Sequence, residues 1–348
     1  MKRCFMLFGF SLLLSALCLA QMSLAGEPAV NVSFVEQWGN VFADKDYVFH
    51  VRLTATDKFE GVVGWRFTCE NRTIASREVK AAIDAGAAQV VDISLKIPQV
   101  KEGVTMSCRL SVSVMRNGDN KSAGSIEKDI CIFPADAFAY RHEWAEKLNI
   151  HLFDPGNKTG DILTAAKIPF HQVNGIDSFT GITDGILLIG EGCSFKDYRG
   201  LGDAATKVAA NGVPVLFLAP SGGEMQIAGM GESDMPVPQS VILKRRDVIR
   251  ELDKHLDSDS WPSDGVIVKT SMKPRGERGP IVFEATQNAD GWAWIEMDFG
   301  PTNQSKGKAV HGRLVMCGFG IVEKWDSTPA ARYLLARMLE HVSGVASN

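Results

Sequence analysis

Two continuous apolar runs with a helical segment between them constrain this chain more than any other feature. The runs cover residues 185–190 and 213–218, and they have the character of strands that are buried on both faces of a parallel sheet. Apolar residues recur between them at helical spacing, namely Leu201, Ala204, Ala205, Val208 and Ala209. The order strand, helix, strand is a crossover unit, so we predict a mostly parallel sheet.

The loops that follow these strands are where a binding or catalytic site is expected. In parallel sheets, ligands bind beyond the carboxyl ends of the strands. The two loops begin at Glu191 and Ala219. Asp154, which follows a predicted short strand at residues 150–153, and Asp197 are expected near the same edge.

The first third of the chain has a different pattern. Between residues 27 and 134, five β-rich segments are separated by turn-forming clusters: 48–53, 62–69, 90–97, 106–114 and 126–133. This spacing is typical of an immunoglobulin-like sandwich. Residues 78–88 are rich in alanine and are compatible with either a short helix or a loop. We predict a linker helix within residues 135–148 and an α/β domain over residues 149–345.

The last third supplies further elements. Residues 223–242 are rich in Gly, Met and Pro without a period, which predicts a long loop. A short strand is predicted at residues 266–268. The final helix has Ser327 as its expected N-cap, Pro329 in its first turn and Gly344 after its end.

The amino terminus has the pattern of a secretory signal. Lys2 and Arg3 precede an apolar stretch, and small residues stand before Gly26, so we expect a signal peptide over residues 1–25. A membrane anchor is the alternative, but the apolar run is shorter than the ~20 residues that a spanning helix needs. Loss of Lys2 and Arg3 changes the formal charge from −4 to −6. The mature chain is therefore expected to be secreted, periplasmic or at the cell surface, with neither nucleic acid nor membrane as a partner.

Five cysteines lie outside the predicted leader. They are Cys69, Cys108, Cys131, Cys193 and Cys317. Because the number is odd, at least one thiol is free or pairs with another chain. Cys69 and Cys108 can form a disulfide if their strands are antiparallel neighbours. No C-x-x-C motif and no histidine pair at ligand spacing is present, so neither a metal nor another cofactor is expected.

Several sequence segments in the second half of the chain resemble those of a known family. They are residues 184–192, 213–218, 312–317 and 323–335. Together, residues of about 150–343 resemble the class I glutamine amidotransferase-like fold, and in particular its non-catalytic version attached to bacterial β-galactosidase-type glycoside hydrolases. The resemblance implies a flavodoxin-like sheet, and it suggests carbohydrate or another secreted protein as the partner.

The same resemblance implies that glutaminase activity is absent. The family's nucleophilic cysteine would fall on Ala219 or on its neighbours Pro220 and Ser221, and its histidine would fall near Phe319 and Gly320. Neither a cysteine nor a histidine stands at these positions. Acyl transfer by this family needs both, one as the nucleophile and the other as the base. The sequence therefore favours a secreted protein with a binding or assembly role.

Two alternatives remain open at this stage. One is a hydrolase that uses Cys193, Ser221 or the carboxylates of Asp154 and Glu191. The other is a surface scaffold that has no small-molecule ligand. The oligomeric state is not predicted.

Overall fold

The computed structural model describes residues 30–119, 121–227, 235–276, 281–287, 290–302 and 310–344. The predicted signal peptide lies outside these ranges, as do residues 228–234 of the predicted long loop. None of the helices in these ranges is both long and apolar enough to cross a bilayer.

Residues 30–133, called the N-terminal β region below, form two sheets. The strands are β1 Val30–Phe34, β2 Asn40–Phe42, β3 Asp46–Ala55, β4 Phe59–Cys69, β5 Arg72–Ile83, β6 Ala88–Lys96, β7 Met106–Arg116 and β8 Ser122–Phe133. One sheet has the order β1-β3-β6 and the other β2-β8-β7-β4-β5, and all pairs are antiparallel except β2 with β8. Alternate residues of both sheets point inward and share one core, for example Phe49, Phe67 and Leu110. Residues 78–88 are therefore neither helix nor long loop, because β5 extends to Ile83 and a turn leads into β6.

Residues 142–344, called the C-terminal region, contain five α-helices, one 3-10 helix and ten strands in the part that the structure describes. In chain order they are α1 His142–Lys147, β9 Ile150–Phe153, α2 Lys158–Ala165, β10 Phe170–Gln172, the 3-10 helix Ile176–Gly181, β11 Ile186–Ile189, α3 Leu201–Ala210, β12 Val215–Leu218, β13 Gly223–Ile227, β14 Ser240–Lys244, α4 Val248–Leu252, β15 Ser271–Arg275, β16 Ile281–Thr286, β17 Trp294–Thr302, β18 Val310–Cys317 and α5 Pro329–Ser343. The main sheet has the order β10-β9-β11-β12-β18-β17-β14. Its first five strands are parallel, whereas β17 and β14 are antiparallel, so the predicted mostly parallel sheet is confirmed.

The main sheet is covered on both faces, which explains its continuous apolar strands. In β11, Ile186 and Leu188 face a core shared with α1, α2, α4 and α5. Leu187 and Ile189 face a second core, which α3 and a small sheet of order β13-β16-β15 complete. The chain is thus rich in β-structure, with several sheets and few helices.

Three local predictions were wrong. Residues 223–242 contain two strands, β13 and β14, because they pair with β16 and β17 far along the chain. Residues 266–268 form only an isolated bridge from Val268 to Phe319. Thr328, not Ser327, caps α5: its side chain accepts from the backbone N–H of Ala330, while Ser327 Oγ donates to backbone oxygens of the preceding turn and of Pro262.

A set of hydrogen bonds, called the seam below, joins the two regions. Asp257 Oδ2 accepts from the backbone N–H of Gly39 at 2.9 Å and of Asn40 at 2.7 Å. In return, the Asn40 side chain accepts from the backbone N–H of Asp257 and donates to His255 O. Tyr333 of α5 adds a further contact, because its hydroxyl donates to Pro134 O and its ring packs against Phe133. Side-chain and backbone groups therefore fix the two regions against each other.

A buried carboxylate on β17 makes the stability of the C-terminal region depend on pH. Glu296 lies 2.9 Å from Nε2 of His341 and 3.1 Å from Nε of Arg313. Burial alone would raise the pKa of Glu296, but the hydrogen bond and charge of His341 and the charge of Arg313 outweigh it and lower that pKa. Because the folded pKa lies below the unfolded value of about 4.3, this stabilisation is present above that pH and is lost as the pH falls through the folded pKa.

We therefore expect Glu296→Gln to lose about 2 kcal/mol at neutral pH, since charge-assisted bonds are removed. Below about pH 4 the difference between the variant and the wild type should shrink. Urea unfolding of both proteins at a series of pH values measures this difference in the free energy of unfolding. A difference that stays constant down to the lowest pH would contradict the role given to this carboxylate.

Candidate functional site

The carboxyl edge of the main sheet contains a crevice at the point where the strand order reverses. From β9 the chain crosses to β10 on one side, whereas from β11 it continues to β12 on the other. Such a switch point is where open parallel sheets bind ligands. A crevice of about 470 Å³ lies there, called the switch-point crevice, and its lining residues are Lys158, Asp161, Glu191, Gly192, Lys269, Val322 and Glu323.

Glu191 is one of the residues that line the switch-point crevice, and its carboxylate accepts hydrogen bonds from three donors of the chain. Its Oε1 lies 2.9 Å from Nζ of Lys269, and its Oε2 accepts from the backbone N–H of Val322 at 2.6 Å. The backbone N–H of Glu323 adds a third donor at 3.2 Å. The side chain is only 2% exposed. A carboxylate held by three donors and closed off from solvent is a structural anion, not a free general base.

Lys269 connects Glu191 to charges at the surface. Its ammonium also pairs with Glu323 at 3.1 Å. Burial alone would lower the pKa of Lys269, but the hydrogen bonds and charges of Glu191 and Glu323 outweigh it and raise that pKa. Lys269 therefore stays charged, and its charge is already shared between two carboxylates.

The carboxylate of Asp154 also has a structural role. Its Oδ2 accepts from the backbone N–H of Gly160 in the first turn of α2 at 2.9 Å, and the residue is 1% exposed. Gly190 leaves the space that this carboxylate needs, because a Cβ there would lie 2.5 Å from Asp154 Oδ1. Asp154 and Glu191 therefore do not present a pair of free carboxylates to a substrate, whereas Asp197 is simply exposed.

Ala219 follows β12 directly and has an unusual backbone. Its φ is +21°, a value that alanine rarely adopts, and the residue is fully buried. Three backbone hydrogen bonds tie its loop to the loop after β11: Gly192 N to Ala219 O, Ser221 N to Cys193 O, and Phe195 N to Gly222 O. The turn is thus tight and strained, it carries only a methyl group, and the N–H groups nearest to it are already bonded.

Cys193 and Ser221 do not have the surroundings of nucleophiles. The Cys193 sulfur is buried in the core beneath α3 and points to Phe153 O at 3.8 Å. Burial, with the charge of Asp154, raises the pKa of the thiol to about 12, so it is not a thiolate at neutral pH. Ser221 is exposed on the loop.

The imidazoles within the described residues lie elsewhere. His50, His255 and His341 contact Glu36, Asp253 and Glu296, respectively. His151 and His171 are paired neighbours on β9 and β10, with ring centroids 5.8 Å apart. Positions 319 and 320, where the resemblance would place a histidine, are a buried Phe and Gly. The described residues therefore bring no thiol and imidazole together at the carboxyl edge of the main sheet. Cys131 and His255 do line one cleft between the two regions, but burial raises the pKa of the Cys131 thiol to about 11, so it is not a thiolate at neutral pH.

The five cysteines within the described residues divide into one pair and three free thiols. Cys69 and Cys108 are direct partners across β4 and β7 and form a disulfide. Cys131, Cys193 and Cys317 are free. Within the described ranges, no group of three His, Cys, Asp or Glu side chains is arranged to hold a metal ion.

No family model and no curated protein matches this chain. Among solved structures, it is similar to the C-terminal domain of Wzt, with 9% identity over 31% of this chain and 75% of that one and a TM-score of 0.23. It is also similar to the sporulation control protein Spo0M from Bacillus subtilis (13% identity, 34% of this chain, 55% of that one, TM-score 0.23). A third is a β-glucosidase from Listeria innocua in complex with glucose (11% identity, 30% and 16%, TM-score 0.22). TM-scores this low do not establish that the chain shares a fold with any of these proteins.

Proposed function

We propose that this protein is an exported, non-catalytic protein with a binding or assembly role, in which an immunoglobulin-like sandwich precedes an amidotransferase-like, flavodoxin-like sheet. The observation that carries the proposal is Ala219. A strained turn directly after a central parallel strand is where enzymes of several folds hold a nucleophile. Here that turn carries a buried methyl group. Catalysis by covalent acyl transfer has no nucleophile at this position.

The bonds around the turn support the same proposal. An acyl-transfer site needs free N–H donors for the developing oxyanion. The N–H of Gly192 is bonded to Ala219 O, and that of Ser221 to Cys193 O. Donors at the neighbouring turn, Val322 and Glu323, bond the carboxylate of Glu191. The nearby donors that could stabilise a transition state are therefore already occupied by the fold itself.

The switch-point crevice supports a binding role. Lys158 and Asp161 on α2, together with Lys269 and Glu323, give it a polar, mixed-charge lining, and no aromatic ring lines it among the described residues. Such a lining suits a small polar ligand that is recognised by hydrogen bonds and not by ring stacking. Carbohydrate as the ligand is supported only by the family resemblance, and a secreted protein partner is the other expectation.

The scaffold alternative is favoured by one observation, the seam. Asp257 and Asn40 exchange hydrogen bonds in both directions between the two regions. A rigid arrangement of this kind would suit a protein that holds partners at fixed positions. A ligand screen separates the two proposals, because a scaffold would leave the switch-point crevice empty.

Ala219→Cys tests the loss of catalysis. We expect the variant to release no ammonia from glutamine above the wild-type level, since an added thiol has no imidazole partner and no free N–H donors. Its thiol should also react slowly with iodoacetamide, because position 219 is fully buried. Ser221→Cys, two residues further along an exposed loop, is the matched control and should be alkylated rapidly. Steady turnover of glutamine by Ala219→Cys would overturn the proposal.

Binding is tested with the full chain on an array of plant, algal and bacterial polysaccharides. Any signal should weaken in the double variant Lys158→Gln, Asp161→Asn, which changes two exposed residues of the crevice. The control is Lys96→Gln, Asp57→Asn, which makes the same chemical changes on the N-terminal β region. Equal signals from both double variants would place binding outside the crevice, and a blank array would favour the scaffold.

A further inference from the structure

Strand β5 is the longest edge strand in the described part of the chain. In the five-stranded sheet of the N-terminal β region, the order β2-β8-β7-β4-β5 places β5 at the outside. The strand has 12 residues, Arg72–Ile83. At the opposite edge of the same sheet, Asn40 of β2 is bonded to the C-terminal region through the seam. The C-terminal region therefore covers one edge of this sheet and leaves the other open.

The hydrogen bonds of β4 show which backbone groups of β5 are unpaired. The carbonyl of Glu60 accepts from the backbone N–H of Asn117, which directly follows β7. Because bonded and non-bonded positions alternate in an antiparallel pair, even-numbered residues of β4 bond to β7 and odd-numbered residues bond to β5. Cys69 and Cys108 agree with this pattern, since their Cα atoms are 4.2 Å apart, close to the spacing of a non-hydrogen-bonded pair between β4 and β7.

Every second residue of β5 therefore directs its backbone N–H and C=O away from the sheet. Val63 of β4 lies opposite Val79 of β5, so the odd-numbered residues of β5 are the ones that bond to β4. The residues whose backbone groups point outward are exposed, and no group within the described residues bonds to them from that side. They are Ser76, Glu78, Lys80 and Ala82.

The edge of β5 lacks most of the features that keep strand edges apart. It is long and contains no proline, and its one register shift lies near its beginning, opposite Phe67 and Thr68 of β4. Charges of a single sign would also repel another copy, but this strand carries both signs, on Arg77, Glu78 and Lys80. An open edge of this kind is a template for pairing with another strand.

The charges of β5 complement those of a second copy in one register. In a two-fold antiparallel pair that continues the sheet, facing residues lie on the same side of the sheet. When Val79 faces Val79 of the second copy, Glu78 faces Lys80 of the second copy, and symmetry repeats this contact. Arg77 then faces the small side chain of Ala81. The next register on either side places Glu78 opposite Glu78 or Lys80 opposite Lys80, and like charges directly opposite are destabilising.

We propose that two copies of this chain associate through β5, so that their five-stranded sheets form one continuous sheet across a two-fold axis at Val79. Ser76 then pairs with Ala82 and Glu78 with Lys80, and each outward backbone group from 76 to 82 gains a partner. Backbone hydrogen bonds supply the affinity, and the charged contacts fix the register. The interface is small, so we expect micromolar dimerisation. This inference does not depend on the function proposed above.

Sedimentation velocity of the full chain from about 1 μM to about 500 μM tests the proposal, and we expect a monomer–dimer equilibrium. Lys80→Glu and Glu78→Lys should each weaken dimerisation by at least about tenfold, because two attractive contacts per dimer become repulsive. The double variant Glu78→Lys, Lys80→Glu should recover it, since opposite charges face each other again in reversed order. For the same reason, a mixture of the two single variants should form a heterodimer more tightly than either forms a homodimer.

The matched control is Lys96→Glu, which makes the same charge change on β6, an edge strand of the other sheet, and should dimerise as the wild type does. Amide hydrogen exchange locates the interface, because the N–H groups of Ser76, Glu78, Lys80 and Ala82 should exchange more slowly at high concentration. A chain that stays monomeric at every concentration overturns the proposal. Association that survives both single charge reversals, or that the double variant does not restore, overturns it as well.

Discussion

Glu191→Ala should lower the free energy of unfolding by about 3 kcal/mol, which is the lower end of the cost of removing one partner from a buried ion pair. The substitution leaves the ammonium of Lys269 and the N–H groups of Val322 and Glu323 without their acceptor. Lys269 is about one third exposed, so water recovers part of the loss. The midpoint of urea unfolding should fall while its slope stays constant, since the surface exposed on unfolding is nearly the same.

Glu323→Ala is the matched control for this prediction. Glu323 pairs with the same ammonium, but its side chain is 47% exposed, and such pairs contribute at most about 1 kcal/mol. Sodium formate should restore part of the stability of Glu191→Ala and leave the wild type unchanged, because a small carboxylate fits the vacated place. Equal losses in the two variants, with no effect of formate, would show that Glu191 is not the anion around which this edge is built.

Removal of the disulfide should have an effect of similar or greater size. Cys69 and Cys108 are 39 residues apart in sequence, and in the chain-entropy model closing such a loop stabilises by about 4 kcal/mol. The variant Cys69→Ala, Cys108→Ala should lose about this amount in urea unfolding. The loss acts through the unfolded chain, because alanine fits at both buried positions and leaves the pairing of β4 with β7 in place.

Two measurements serve as controls for the disulfide prediction. Cys131→Ala removes a free thiol on the adjacent strand β8 and should change stability far less. Reduction of the wild type by dithiothreitol should lower its unfolding midpoint towards that of the double alanine variant. If reduction has no effect although free-thiol titration shows two additional thiols, the loop constraint does not stabilise this protein.

The sequence predicts the elements whose stability is local. Helix α5 has a capping residue, a proline in its first turn and a long apolar stripe, and the unit from β11 through α3 to β12 has two apolar runs around a periodic segment. In each case a short window contains the whole signal. By contrast, β13 and β14 are stabilised by pairing with β16 and β17, which lie more than 40 residues away. A short window of sequence does not contain the distant strand with which a segment pairs, so residues 223–242 were predicted as a loop.

The candidate site divides in the same way. Glu191 and Ala219 could be placed at the carboxyl edge, because each follows an apolar strand. Lys269 could not, since it lies 78 residues from Glu191 in a segment without periodicity. The roles of Glu191 and Asp154 were also hidden, because an acidic residue after a strand has the same sequence signature whether its carboxylate is free or buried. The difference depends on distant donors such as the N–H of Val322, 131 residues away.

The reciprocal bonds between Asn40 and Asp257 restrict how this protein can recognise anything. Proteins that close on a ligand do so by rotation about a hinge between two bodies. Here such a rotation would break several hydrogen bonds between the two regions at once. The binding surface must therefore already fit its ligand in the free protein. Crystals of the free and the ligand-loaded protein should therefore superpose within about 1 Å over their backbones. Selectivity would then come from the fixed shape and charge of each opening, and molecules that do not fit would be rejected without any induced adjustment.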